Sequence, residues 1–215
     1  GIPGAAATVH INGSVDTGGS RTANKVIVEA NAVLTVSSAT TSTALTWVKS
    51  GGSLILNAAF TNNGIFEIEN NGSLLINYSA SGTSPIWNGT EKFSAGSTVT
   101  IQNWNYSAGS GANRLIQNPS QISPNADGFL FGNLITSGAL TGGFYLIQGN
   151  QEVNFCKNNY TMKNTANKVI FTDGAATIHI GGNMTVDGTQ LSLSATAGGV
   201  VNVAGNLSVL SGSLN

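Results

Sequence analysis

Charge is scarce in this chain: 8 Lys and Arg and 9 Asp and Glu make up only 8% of 215 residues, for a net charge of −1. Dispersed cations at that density leave no electrostatic footprint for nucleic acid. The residues that build helices with solvated faces are too few for a helical domain. No run of 18 apolar residues occurs, so no helix predicted from the sequence spans a bilayer. The single cysteine, Cys156, can form neither an internal disulfide nor a metal knuckle. Cysteine scarcity is also common in exported bacterial proteins. Gly1-Ile2-Pro3-Gly4 opens the chain without a charged and apolar leader, as a mature or trimmed start would.

What is abundant is 28 Gly, 26 Asn, 23 Ser and 22 Thr, set among 40% hydrophobic residues. Disorder accounts for the first four but not for dense Val, Ile and Leu. Short strands joined by many turns account for both. Repeats give the strands a period. Gly52-Ser-Leu-Ile-Leu-Asn57 returns 20 residues later as Gly72-Ser-Leu-Leu-Ile-Asn77, with Val33-Leu-Thr-Val36 in the slot before. Thr177-Ile-His-Ile-Gly-Gly-Asn-Met-Thr-Val186 returns after 23 residues as Val200-Val-Asn-Val-Ala-Gly-Asn-Leu-Ser-Val209. Thr22–Val28 is nearly repeated by Thr165–Phe171.

A period of 20 to 24 residues predicts an all-β parallel β-helix, or β-solenoid, whose rungs each hold two or three short strands. Alternation sorts the side chains: Phe66 and Ile68 share one face, Glu67 and Glu69 the other. The inner face is therefore expected to be aliphatic and the outer face Thr, Ser, Asn and occasional charge. Asn and Gly at the strand ends suit corners that need a left-handed backbone. Asn57 is expected to stack over Asn77. Residues 105–128, with Pro119 and Pro124, break the pattern. The predicted organisation is N-terminal rungs over 1–104, an irregular excursion over 105–128 and C-terminal rungs over 129–215, as one rod cut from a longer protein.

Candidate chemistry is sparse. His10 and His179 occupy matching slots, Thr-Val-His-Ile and Thr-Ile-His-Ile, and point outward by alternation. The nine acidic residues are scattered, and Asp16, Asp127, Asp173 and Asp187 precede Gly or Thr-Gly, as turn residues do. A polysaccharide lyase or hydrolase needs acidic and basic groups converging on one outer face; Glu67, Glu69 and Glu91 beside Arg114 or a lysine in a groove would raise that reading. Tandem calcium repeats, a P-loop and a nucleophile elbow are absent. The catalytic and metal sets are thus expected to be empty, with no cofactor. Trp87, Trp104 and Tyr106 flank the irregular middle and are the candidate glycan contacts; the competing reading has them sealing an enlarged rung.

Val201-Asn-Val-Ala-Gly-Asn-Leu-Ser-Val209 resembles the β-strand-repeat regions of large secreted surface proteins of the Bacteroidetes. Asn125-Ala-Asp-Gly-Phe-Leu-Phe-Gly-Asn-Leu134 is similar to a recurrent segment there, and Gly1-Ile-Pro-Gly-Ala5 resembles the start of such a region. The resemblance implies an adhesin-like protein, exported by the type IX secretion system and then released or held at the cell surface. Its partners would be the outer-membrane export machinery and a surface glycan, host or substratum. The expected function is a non-enzymatic structural or adhesive solenoid segment. The rival is a carbohydrate-active or glycan-binding β-helix.

Overall fold

The computed structural model describes residues 4–78, 86–104, 114–116, 122–138, 144–147, 152–163, 169–172, 174–194 and 198–215. Among these there is no helix; the chain is a β-solenoid built from parallel strands. Each turn has three sides, and strands are numbered in chain order. The first side holds β1 (Thr8–Ile11), β8 (Ile65–Ile68), β11 (Thr90–Phe93), β14 (Ile122–Ser123), β17 (Glu152–Cys156), β20 (Thr177–Ile180) and β22 (Val200–Val203), with the later halves of β3 (Arg21–Val28) and β5 (Thr40–Val48).

The second side runs without interruption through β2 (Ser14–Asp16), β4 (Val33–Val36), β6 (Ser53–Leu56), β9 (Ser73–Tyr78), β12 (Thr98–Trp104), β15 (Asn133–Ser137), β18 (Tyr160–Lys163), β21 (Met184–Ser194) and β23 (Leu207–Leu214). The third side holds the first halves of β3 and β5, then β7 (Phe60–Asn62), β10 (Ile86–Trp87), β13 (Arg114–Ile116), β16 (Phe144–Ile147), β19 (Val169–Thr172) and the ends of β21 and β23.

The 20-residue repeat read from sequence is one full turn: Leu34, Leu54 and Leu74 are register partners, as are Val36, Leu56 and Ile76, and all six are buried. Later turns lengthen. Thr98 lies over Ser73 and Asn133 over Thr98, so the step grows from 25 to 35 residues before returning to 23 between Met184 and Leu207. Within 105–128, Arg114–Ile116 and Ile122–Ser123 are strands that pair with β16 and β11, so this stretch contributes to the sides of the stack. Pro124–Gly128 forms a turn closed by Asn125, whose Oδ1 accepts from the N–H groups of Asp127 (3.0 Å) and Phe129 (3.1 Å).

The near-identity of Thr22–Val28 and Thr165–Phe171 is not a structural equivalence. Val26–Val28 lie on the first side and Val169–Phe171 on the third; residues 164–168 lie outside the described residues. An apolar triplet fits any side, because every side buries alternate residues.

Corners explain the Asn and Gly content. The bend after the first side has positive φ at Asn31 (61°), Gly51 (78°) and Asn71 (61°), one residue earlier than the glycines Gly52 and Gly72 that the repeat highlights. Only Gly and Asn enter that backbone region cheaply. Asn57, Asn77 and Asn103 instead form an amide ladder, Asn77 Nδ2 donating to Asn57 Oδ1 (3.1 Å) and Asn103 Nδ2 to Asn77 Oδ1 (2.7 Å). A second asparagine column takes over farther along, where the backbone N–H groups of Asn183 and Asn206 donate to Asn159 Oδ1 (3.0 Å) and Asn183 Oδ1 (2.9 Å).

The interior corrects one expectation. It is aliphatic through Val28, Val36, Val48, Leu54 and Leu56, but from Phe60 onward a chain of rings fills it. Phe60, Phe66, Phe93, Phe131, Phe155 and Phe171 succeed one another at centroid separations of 4.9–6.3 Å, with Tyr160 against Phe171 at 4.9 Å. Edge-on and tilted ring pairs favour this spacing. The rings begin within a 20-residue turn, at Phe60 and Phe66, and continue through the longer ones. Tyr160 is satisfied inside by Thr136 Oγ1 at 3.0 Å.

Leu74 is 1% exposed between Leu54 and Val99, whereas Thr100 points outward one strand away. Leu74→Asp is expected to cost about 4 kcal/mol or more, by burying an unpaired charge in a void. Thr100→Asp is expected to stay within about 0.5 kcal/mol of the parent. Chemical denaturation of both variants checks this, and equal destabilisation would show that the faces are assigned wrongly.

Candidate functional site

Outward residues of the first side bring charges and an aromatic ring into one row. Register places Trp47 beside Ile27 on one neighbour and Glu67 on the other, with Lys92 next to Glu67. The corner residues Glu29, Lys49 and Glu69 flank this row. Glu29 bridges two turns: Oε2 lies 2.6 Å from Lys49 Nζ and Oε1 lies 2.8 Å from His10 Nδ1. The Lys49 ammonium, and secondarily His10, hold the Glu29 carboxyl below its usual range. Lys49 also sits over the Trp47 ring, 5.0 Å from its centroid, a cation–π arrangement. Ile27 is 8% exposed although it faces outward.

The Glu67–Glu69 pair singled out by spacing divides its work. Glu67 stays in the row between Trp47 and Lys92. Glu69 Oε2 accepts the backbone N–H of Ser50 (2.9 Å), which ties one corner to the next. His179 also pairs with a glutamate, its Nε2 lying 2.8 Å from Glu152 Oε1, but toward the preceding turn rather than the following one. The two histidines lie outward, as alternation implies, in β1 and β20. Asp16 caps its turn by accepting from Gly18 N–H (2.9 Å) and Ser37 Oγ; the Ser37 bond, then the Gly18 bond, lowers its carboxyl pKa.

Glu91 does not join Glu67 and Glu69 on the outer face, as the carbohydrate-active reading would require: it is 2% exposed and faces the interior. Its register partners are Phe66 and Ile122, and Phe93 shares its face. The signal was present in the sequence: in Thr90-Glu-Lys-Phe93 the ring at Phe93 fixes the inner face, which puts Glu91 inside and Lys92 outside. Oε1 has no hydrogen-bond partner, and burial pushes the carboxyl up to about 8. Glu91 is therefore protonated near neutral pH, which spares the core a bare charge.

Of the candidate glycan contacts, Trp87 and Trp104 are described only as backbone, in β10 and β12, and Tyr106 lies outside the described residues. The Arg114 side chain is likewise outside them. Trp47, which sequence reasoning passed over, is the aromatic that the structure places in a charged outward row. Among the described residues no group of three or more His, Cys, Asp or Glu is placed to hold a metal ion, and no helix is long and apolar enough to cross a membrane. Cys156 is fully buried, and its thiol pKa is raised by that burial.

Chemically, this row is an interlocked clamp across adjacent turns. Lys49, His10 and Glu29 are engaged with one another, while Lys92 lies in the row beside Glu67. No protein family, curated protein or solved structure matches the chain.

The buried carboxyl has a pH signature. A folded pKa near 8 against an ordinary value of 4.5 means that stability is full below pH 4.5 and falls as pH rises through 8. The slope in that window reaches about 1.4 kcal/mol per pH unit at most. Glu91→Gln should flatten this dependence and leave the variant more stable than the parent at pH 9. Urea denaturation at several pH values reads both; superimposable profiles would remove Glu91 from the interior.

Proposed function

We propose that the chain is a non-enzymatic structural segment of a secreted or cell-surface protein, a stiff spacer with an adhesive role. The observation that carries this reading is the continuous register of the second side, from β2 to β23, around an interior filled by packed side chains. A rod of parallel turns transmits load along its hydrogen-bond ladders and presents its corners and outer rows to the surroundings. Export by the type IX system rests on the resemblance of the Gly-Asn-Leu strand repeats to Bacteroidetes surface proteins. The partners would then be the outer-membrane translocon in transit and a surface glycan or substratum at the destination.

The carbohydrate-active alternative has less behind it. Glu29 is committed to Lys49 and His10, Glu69 to a corner amide, and Glu91 to the interior. The Trp47 ring already carries Lys49 on a face.

Two measurements test the proposal. In cells that express the protein, its appearance at the surface or in the medium should require an intact type IX translocon. The purified chain should release no reducing ends or unsaturated products from a panel of acidic and neutral polysaccharides. Cleavage that is lost in Glu67→Gln or Glu152→Gln would overturn the non-enzymatic reading.

A further inference from the structure

The chain holds four Asn-Gly pairs: Asn12-Gly13 in the first turn, and Asn63-Gly64, Asn71-Gly72 and Asn88-Gly89 at corners of inner turns. Such a pair can react with itself. With no Cβ in the way, the glycine backbone nitrogen can reach the side-chain carbonyl carbon of the asparagine before it. The reaction requires a glycine N–H that is free to lose its proton and a peptide that is free to turn. Glycine itself is fixed at two of these corners by the stacking. A Cβ on Gly64 would stand 2.0 Å from Ala44 O, and one on Gly89 would stand 1.7 Å from Gly64 O.

Backbone hydrogen bonds separate the three inner pairs. Gly72 N–H donates to Glu69 O at 2.9 Å, which ties up the nucleophile. Asn71 is held on both sides, its N–H donating to Gly96 O (3.0 Å) and its carbonyl accepting from Gly51 N–H (3.3 Å). Gly64 N–H carries no such bond, but its carbonyl accepts twice, from Thr90 N–H at 3.2 Å and Asn62 Nδ2 at 2.7 Å, so the peptide cannot turn. Gly89 differs from both. Among the described residues neither its N–H nor its carbonyl has a hydrogen-bond partner, and Asn88 is exposed. Asn88 N–H is anchored on Asn62 O at 2.9 Å, while one bond holds its side chain, Nδ2 donating to Asn63 Oδ1 at 2.8 Å.

We propose that Asn88-Gly89 is a self-modification site, at which the folded chain converts asparagine to aspartate and isoaspartate faster than at its other inner Asn-Gly pairs. The Gly89 nitrogen bonds to Asn88 Cγ, the Cγ–Nδ2 bond breaks, and the proton lost by Gly89 leaves with ammonia. Water, the one co-reactant, then opens the succinimide at either carbonyl. Both products put a carboxylate where Nδ2 donated, so acceptor faces acceptor at Asn63 Oδ1. The isoaspartate product also adds a methylene to the backbone between β10 and β11. The registers of Trp87 on Asn62 and Thr90 on Ile65 then no longer hold together. This goes beyond the spacer function: it marks the turn at which an ageing rod weakens.

Peptide mapping by mass spectrometry tests it on the 215-residue chain, incubated folded at neutral pH, with enzymatic isoaspartate methylation as a second readout. Position 88 is expected to convert at least about tenfold faster than position 63 or 71, a barrier difference of about 1.4 kcal/mol. In concentrated urea the three rates should converge, because the dipeptide is the same at each. Asn88→Gln should remove most of the isoaspartate that the folded chain accumulates. Conversion at position 63 or 71 that matches position 88 in the folded chain overturns the proposal. So does a folded chain that stays unconverted at position 88 while the unfolded one reacts there, or an isoaspartate yield that Asn88→Gln leaves undiminished.

Discussion

Everything in this molecule depends on each inward side chain lying on its counterpart one turn away. No single turn encloses a core: a triangle of three short strands has an apolar inner row and two open edges. Burial comes only when Leu54 is covered by Leu34 on one side and Leu74 on the other. Parallel pairing keeps that alignment, because a slip of one residue would turn every inward residue out. The asparagine columns act in the same direction on the surface. Asn57, Asn77 and Asn103 join their amides only when consecutive turns are in phase.

The constraint is strict for sides and loose for corners. Turns may take 20, 25 or 35 residues while four-residue sides still meet their partners. Size inside the stack can change too, provided that it changes gradually. The aliphatic turns pass into aromatic ones at Phe60, and each ring then packs against the next. Glu91 is the costly exception, a carboxyl set in the same row as Phe66 and tolerated by remaining protonated.

Legibility follows the same division. The parallel solenoid, its 20-residue turn and the Asn57–Asn77 stacking were readable because the early turns are short and nearly identical, so residue number and position in space stay in step. Where the step between turns changes, that link breaks. The Thr22–Val28 and Thr165–Phe171 match is real as sequence, but its apolar triplets fall on different sides. The inward place of Glu91 follows from alternation, because Phe93 two residues on marks the inner face. Trp47 went unnoticed because a lone aromatic in a regular turn looks like core. Only register shows it between Ile27 and Glu67, with Lys49 over its ring.

The central claim, that sequence neighbours 20 residues apart are stacked in parallel register, is tested most directly by a pair of disulfide traps. Ser53 and Ser73 are register partners with their Oγ atoms 3.0 Å apart, and Ser73 is in turn the partner of Thr98. Adjacent parallel strands lie about 4.8 Å apart, within the Cα range of a disulfide, while two turns span about 9.6 Å, outside it. The Ser53→Cys/Ser73→Cys chain should therefore oxidise rapidly in the folded state, as read by mass spectrometry of its peptides. The Ser53→Cys/Thr98→Cys chain should not. A reversed preference, or a folded 53–73 pair that resists oxidation, would contradict the stacking on which the rest of this account stands.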